Sequence, residues 1–188
     1  LDKYEKLAID GNMKVRLWAM ARHPANELEG KVGKYKKINV GNRFYTCNAI
    51  KSEVDGALGA FGAWLLEPYS DKPGFKGQNT TDIYDVKKIA DIAIANDMQF
   101  CVHAIGDRAN RVVLDIYEGV LGQHPDKKDI RWRIEHAQHL SPDDIPRFAK
   151  NKIIASMQGI HCTSDAPFVV KRLGTDRSRL GAYAWRSL

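Results

Sequence analysis

Gln99-Phe-Cys-Val-His-Ala-Ile-Gly-Asp-Arg-Ala109 is an apolar run that reaches a histidine, turns at a glycine and opens into a helix. Gln99 to His103 reads as a buried strand, and Asp107 to about Leu121 as a helix with Val112, Val113, Ile116 and Val120 on its apolar face. The layout recurs downstream. Arg131 to Glu135 reads as a second buried strand and delivers His136 within Ile134-Glu-His-Ala137. Two strands that each end on an imidazole can bring both rings to one edge of a parallel sheet, which is how a metal site is built on such a sheet. Spacing alone is a weak signal, because a lone strand histidine is more often a satisfied core or surface group.

Outward from these two strands the chain alternates. Tyr4 to Ile9 reads as the end of a helix stopped by Gly11-Asn12, Lys14 to Met20 as a strand, and Asn48 to Lys51 as another. Asp55 to Gly77 is glycine-rich, with Pro68 and Pro73 as breakers, and is expected to be a long loop. Thr80 or Thr81 is expected to cap a helix reaching about Asn96, with Ile83, Val86, Ile89, Ala90 and Ala93 on its apolar face. Ser141-Pro-Asp-Asp144 predicts a helix running to about Lys150, followed by a fifth strand from Ile153 to Met157. Arg179 to Leu188 reads as the start of a last helix, and no internal repeat appears.

Strands alternating with helices imply right-handed crossovers and a parallel sheet, either open or closed into a barrel. In both, chemistry gathers at the C-terminal strand ends, where Lys51, His103, His136 and His161 fall. No glycine-rich phosphate turn follows the first strand, as a doubly wound sheet would usually carry. Five strands in 188 residues instead match the spacing of a barrel with eight strands in about 250 residues. The expected fold is therefore α/β, a partial TIM-like (β/α)8 barrel.

Composition narrows the classes. An apolar fraction of 44% with 28% charged residues is that of a soluble globular protein, and no run approaches the length of a membrane span. The opening Leu1-Asp-Lys-Tyr-Glu5 lacks the layout of a signal peptide. With no initiating Met and a last residue inside an apparent helix, the chain is expected to be an internal piece of a longer polypeptide. Cys47, Cys101 and Cys162 form no CxxC pair and are odd in number, which favours reduced thiols and a cytoplasmic location. The net charge of +6 is scattered, densest from Lys31 to Lys37, and reads as solvated surface; neither a nucleic acid nor a membrane is expected as partner.

Six segments carry a more specific signal: Val54-Asp-Gly-Ala-Leu-Gly59, Leu66-Glu-Pro-Tyr-Ser-Asp71, His103-Ala-Ile-Gly-Asp-Arg-Ala109, Arg133-Ile-Glu-His-Ala-Gln138, Ala155-Ser-Met-Gln158 and Gly181-Ala-Tyr-Ala-Trp-Arg-Ser187. In this order they resemble the amidohydrolase superfamily, and within it the amidohydrolase 3 group with its N-substituted formamide deformylase-like members. The resemblance runs from Lys51 to the last residue. It implies a metal-dependent hydrolase on a TIM-like barrel, usually with a small β-sandwich made from both chain ends. It also implies a His-x-His metal pair on the first barrel strand and an Asp on the eighth, neither of which lies in this sequence. On that comparison the chain corresponds to about strands three to seven, and residues 1–188 to an incomplete barrel domain without flanking strands or sandwich. Two departures stand out: Ala60-Phe61 where most relatives have Ser-Arg, and Gly159 where many have Pro.

The candidate residues follow. Hydrolysis of an amide near neutral pH is helped by a metal that acidifies bound water and polarises the carbonyl, and imidazole suits zinc and its neighbours. The resemblance implies His103 and His136 as ligands of a divalent metal, expected to be zinc, with one or two ions in an intact site. Alternation puts His136 on the face of Trp132 and Ile134, so if that face meets the helices His136 must act from just past the strand. Lys51 ends a strand, and Glu53 and Asp55 share its parity. In several amidohydrolase groups a lysine here becomes a carbamate bridging two metals, which needs a neutral amine; an ion pair with Glu53 or Asp55 is the alternative.

By the same analogy His161 lies near the substrate or behind a ligand, unless it is an unengaged loop histidine. Asp107 is expected to cap its helix, or to orient a ligand or substrate. Asp165 imitates the eighth-strand Asp but follows the wrong strand. His139 reads as solvated, Cys101 as a small buried hydrophobe, and His23 and His124 have no assigned role.

The expected activity is hydrolysis of an amide or other non-peptide C–N bond in the full-length protein, with a small-molecule amide as partner and a homo-oligomer open. A catalytically silent binding or regulatory relative is the alternative. The isolated piece is expected to be inactive and, with two unpaired sheet edges, to self-associate.

Overall fold

The computed structural model describes residues 1–188 throughout. Its strands are β1 (Leu17–Ala21), β2 (Lys37–Asn39), β3 (Tyr45–Glu53), β4 (Gln99–Ala104), β5 (Arg133–His136) and β6 (Ile154–Ser156). Its helices are α1 (Asp2–Ile9), α2 (Ala25–Leu28), α3 (Val32–Tyr35), α4 (Val40–Arg43), α5 (Ile83–Ala95), α6 (Asp107–Gln123), α7 (Ile145–Asn151), α8 (Ile160–Asp165), α9 (Val169–Leu173) and α10 (Thr175–Gly181). Sheet order is β1-β3-β4-β5-β6, every pair parallel, with β2 joined antiparallel to β3 through Lys37 and Cys47. Each parallel strand thus pairs with the next parallel strand in the chain. That sequential order is a barrel wall, whereas a doubly wound sheet reverses direction at a switch point. The chain is an α/β partial TIM-like barrel with β1 and β6 as its edges.

The main core lies between the sheet and the helices α5 and α6, and it includes Val86, Ile89, Val102, Val113, Leu114 and Ile134. Its centre is aromatic. Trp132 is fully buried, with ring centroids 4.9 Å from Tyr117 and 5.9 Å from Phe100. The indole N–H donates to Met98 O at 3.1 Å, and the Tyr117 hydroxyl lies 3.0 Å from both Phe100 O and Arg133 O, so the polar tips of this cluster are satisfied.

A β-bulge sets which side chains leave this core. Ala19 pairs with Cys47 but Ala21 with Ile50, so β3 holds one extra residue between the two pairs. The extra residue lets Cys47 and Ile50, three apart, both be buried on the helix side. Lys51 then falls on the opposite side, in one row with Cys101 and Arg133, while Glu53 is level with His103 and Glu135.

Several boundaries differ from the sequence reading. α5 is capped by Asp82, which accepts from Tyr84 N at 2.8 Å, and not by Thr80 or Thr81. The helix expected from Ser141 starts only at Ile145, because Pro146 has no N–H for the Pro142 carbonyl and its ring would collide there. The terminal helix spans Thr175–Gly181, not Arg179 to Leu188: Tyr183 takes φ +53° and its N–H donates to Gln138 O at 2.7 Å. The short β2 and helices α2 to α4 were not expected, since pieces of three or four residues carry no readable period. The loop from Asp55 to Gly77 is a loop, closed over the barrel end against α6. Trp64 O accepts from Arg108 N and Ala109 N, so close to Gly106 that a Cβ there would sit 2.1 Å from the same oxygen.

Candidate metal centre

His103 and His136 meet at the C-terminal edge of the sheet. Ala104 of β4 pairs with His136 of β5, and the two imidazole centroids are 4.5 Å apart with planes at 70°. His103 follows the alternation of β4, opposite the buried Phe100, Val102 and Ala104. His136 does not follow that of β5. Trp132 and Ile134 are buried in the helix-side core, yet His136 takes φ +76° and Ala137 φ +44°. The left-handed turn ends the pleat, so the imidazole escapes the face its parity assigns.

His161, on α8, joins this pair from the next strand connection, its ring 5.6 Å from His136. Lys51 approaches from β3. Its Nζ donates to Ser52 O at 2.6 Å and forms no ion pair, because Glu53 binds Arg22 at 2.7 Å and Asp55 is held elsewhere. The expected alternative of a Lys51 ion pair with Glu53 or Asp55 is therefore not realised. Burial lowers the lysine pKa against the pull of Glu53 and Glu135. The same cause, followed by the neighbouring His136 and Lys51, brings His103 down to about 3, and His136 is lowered by burial as well. Both imidazoles are thus neutral at pH 7, the form that ligates metals.

Two side chains stand behind the rings. Asp55 lies beyond β3 with its carboxylate buried. It accepts from Ile105 N at 2.9 Å and from Gly106 N and Trp64 N at 2.8 Å, and its Oδ1 is 3.6 Å from His103 Nε2. Burial pushes this carboxyl up to about 7, with the backbone N–H groups acting in the opposite direction. Gln158, two residues past β6, places Oε1 2.8 Å from His136 Nδ1. His103 Nε2 is buried without a hydrogen-bond partner, so this ring is not satisfied by the fold alone. The arrangement fits a metal site in its donor chemistry: two neutral imidazoles side by side, one with a buried nitrogen that the fold leaves unpaired.

The remaining candidates lie apart from the pair. Asp107 is the first residue of α6, not its cap, and its Oδ1 is occupied by Leu66 N at 2.8 Å and Arg108 N at 2.9 Å. Asp165 accepts from Gln138 Nε2 at 2.9 Å and from the Tyr183 hydroxyl. His139, expected to be solvated, is only 2% exposed: the segment after β5 runs inward and His139 N donates to Ile105 O at 3.0 Å. Cys101 is fully buried and its thiol is pushed up to about 12, and Cys47 and Cys162 are also free.

The family model for the amidohydrolase family matches residues 1–188, the whole chain. The chain belongs to the amidohydrolase family. It is 38% identical over 158 residues to Protein LONG AFTER FAR-RED 3 of Arabidopsis thaliana, covering 82% of this chain and 26% of that protein. To the protein designated "Putative amidohydrolase YtcJ" of Bacillus subtilis (strain 168) it is 35% identical over 189 residues, 98% of this chain and 33% of the relative. Among solved structures, an uncharacterized metal-dependent hydrolase from Pyrococcus furiosus superposes with a TM-score of 0.80 at 28% identity, over 97% of this chain and 36% of the other. A second, from Pyrococcus horikoshii OT3, gives 0.82 at 28% identity over 97% and 35%. This amidohydrolase chain therefore spans about a quarter to a third of the curated relatives it matches.

Both departures from the family pattern can be placed. Phe61 takes φ +59°, and the Arg172 guanidinium sits 3.7 Å from its ring centroid while binding Asp71 and Gly59 O. Gly159 has φ −58° and open space where a Cβ would be, so the amidohydrolase fold does not require glycine there. Sequence reasoning missed Asp55 as the carboxylate nearest His103 and Gln158 as the hydrogen-bond partner of His136. The available signal was position: each follows a strand end by two residues, and Asp55 precedes a glycine.

Proposed function

We propose that the full-length protein carrying this chain is a metal-dependent amidohydrolase acting on an amide or other non-peptide C–N bond of a small molecule, N-substituted formamide-like in class. The observation that carries this reading is the His103–His136 pair, neutral, adjacent and at the chemistry-bearing end of a barrel wall. His103 and His136 would hold a divalent ion, with zinc preferred for imidazole donors. That ion would supply acidified water and polarisation of the carbonyl. Lys51, half-buried and without an ion-pair partner, is suited to carry a carbamate and so to add a bridging ligand. His161 flanks the pair from α8 and would contact substrate.

Residues 1–188 would then be an incomplete barrel domain, with the other metal ligands supplied by further strands of the same polypeptide. The matches to longer hydrolases support this. Three free thiols and the lack of any helix long and apolar enough to cross a membrane are compatible with a cytoplasmic location.

The test is metal content of the full-length protein by plasma mass spectrometry, together with amine release from a panel of small amides. Close to one or two ions per chain are expected in the wild type, with loss of most metal in His103→Ala and His136→Ala. Full retention of metal by both variants would remove the reading, and a metal-loaded wild type that cleaves no amide would leave a silent relative in its place.

A further inference from the structure

His136 is not held by the ladder on the β6 side. The last register pair between β5 and β6 is Glu135 with Ser156, and beyond it His136 has already left the pleat at φ +76°. The contact that spans the gap is a side chain: Gln158 Oε1 lies 2.8 Å from His136 Nδ1. An amide oxygen only accepts, so this contact requires the imidazole proton on Nδ1. A neutral imidazole carries one proton, and its lone pair then resides on Nε2, which makes no hydrogen bond to the protein. His103 has no equivalent, since its nearest carboxylate oxygen, Asp55 Oδ1, is 3.6 Å from Nε2 and outside hydrogen-bond range.

We propose that Gln158 is a positioning residue for the metal centre: it fixes His136 as the Nδ1–H tautomer and fixes the rotation of the ring, so that Nε2 is presented to the divalent ion. The inference rests on the metal-centre reading and adds to it which nitrogen binds and what selects it. A hydrogen bond to the far nitrogen of a ligating imidazole typically changes metal affinity by about 10- to 100-fold. The opposite amide orientation would turn the Gln158 NH2 toward Nδ1, put the proton on Nε2 and close that nitrogen to metal.

Two measurements on the full-length protein test this. Zinc affinity is read by competition with a chromophoric chelator for wild type, Gln158→Leu, Gln158→Glu and His136→Ala. Imidazole tautomers are read by 15N NMR of histidine-labelled, metal-stripped protein, with the His136 signals assigned by their loss in His136→Ala. The expected result is a roughly 10- to 100-fold weaker zinc affinity for Gln158→Leu, affinity near wild type for Gln158→Glu, which keeps an acceptor, and a His136 protonated on Nδ1 in the wild type. A wild-type His136 protonated on Nε2 overturns the proposal without reference to any variant. So does a Gln158→Glu affinity as poor as that of Gln158→Leu, which would mean that the side chain acts by packing. Unchanged affinity in His136→Ala would instead defeat the metal-centre reading itself. Loss in His136→Ala with none in Gln158→Leu defeats only the role of Gln158.

Discussion

Replacing His139 by leucine should leave stability at pH 7.5 unchanged or slightly higher and remove a large part of the protein's sensitivity to acid. His139 is 2% exposed, packs its ring 5.4 Å from that of Tyr183, and has no hydrogen-bond partner on either ring nitrogen. Burial holds its pKa down to about 4 from 6.5. The unfolded chain therefore takes up a proton below pH 6.5 that the folded chain refuses until about pH 4, and stability falls as pH drops through that window. At 1.36 kcal/mol per unit, the loss is about 2 kcal/mol at pH 5 and about 3 kcal/mol once both states are protonated. At pH 7.5 the neutral ring contributes two unsatisfied polar atoms, and leucine of similar volume removes that cost.

The assay is urea unfolding of the full-length protein followed by tryptophan fluorescence, wild type against His139→Leu, at pH 7.5 and pH 5. The wild type should lose about 2 kcal/mol more than the variant between the two conditions. Equal losses would show that His139 is not held neutral, and a variant weaker by more than about 2 kcal/mol at pH 7.5 would show that the imidazole makes favourable bonds in the fold.

Trp132→Ala empties the centre of the aromatic cluster and leaves Met98 O without its donor; urea unfolding should show a loss of about 3–5 kcal/mol, and a loss under 1 kcal/mol would contradict the packing described. Gly106→Ala drives a Cβ to 2.1 Å from Trp64 O, so the 55–77 loop should detach and limited proteolysis should cut there faster than in wild type; an unaltered digestion pattern would show that the close approach is absent. Asp144→Ala removes the carboxylate, 2% exposed, that joins Arg111 at 2.8 Å to Arg147 at 2.9 Å; Arg147 keeps Glu118 and Asp115, which limits the expected loss to about 2 kcal/mol by thermal or urea unfolding, and a loss that vanishes in high salt would mark the network as surface electrostatics only.

The barrel wall was legible because its strands are apolar runs ending on polar residues, a pattern that survives any tertiary context. The boundaries were less so. Pro146 overrides the capping signal of Ser141, and the turn at Tyr183 is enforced by a bond to Gln138, a residue 45 positions away. For the site, the identity of His103 and His136 was visible, and so was the need for His136 to act from where the alternation ends; the left-handed backbone that takes it there was not, because alternation carries no information about such a residue at a strand end. Lys51 shows the same limit from the other side: its face depends on a one-residue bulge in β3, which only the register against β1 reveals. The solvated reading of His139 failed because its flanking Gln138 and Ser141 are polar, while its actual surroundings come from α6, Ile105 and Tyr183.

The departure of His136 from the pleat separates two pressures that would otherwise fall on the same residues. Trp132 and Ile134 are answerable for volume beneath the helices, whereas His136, two positions on, is answerable only for heading, set by backbone dihedrals and one amide. A lineage can therefore repack the wall of this barrel without turning the imidazole at its mouth, and can retune the mouth without opening a void in the wall.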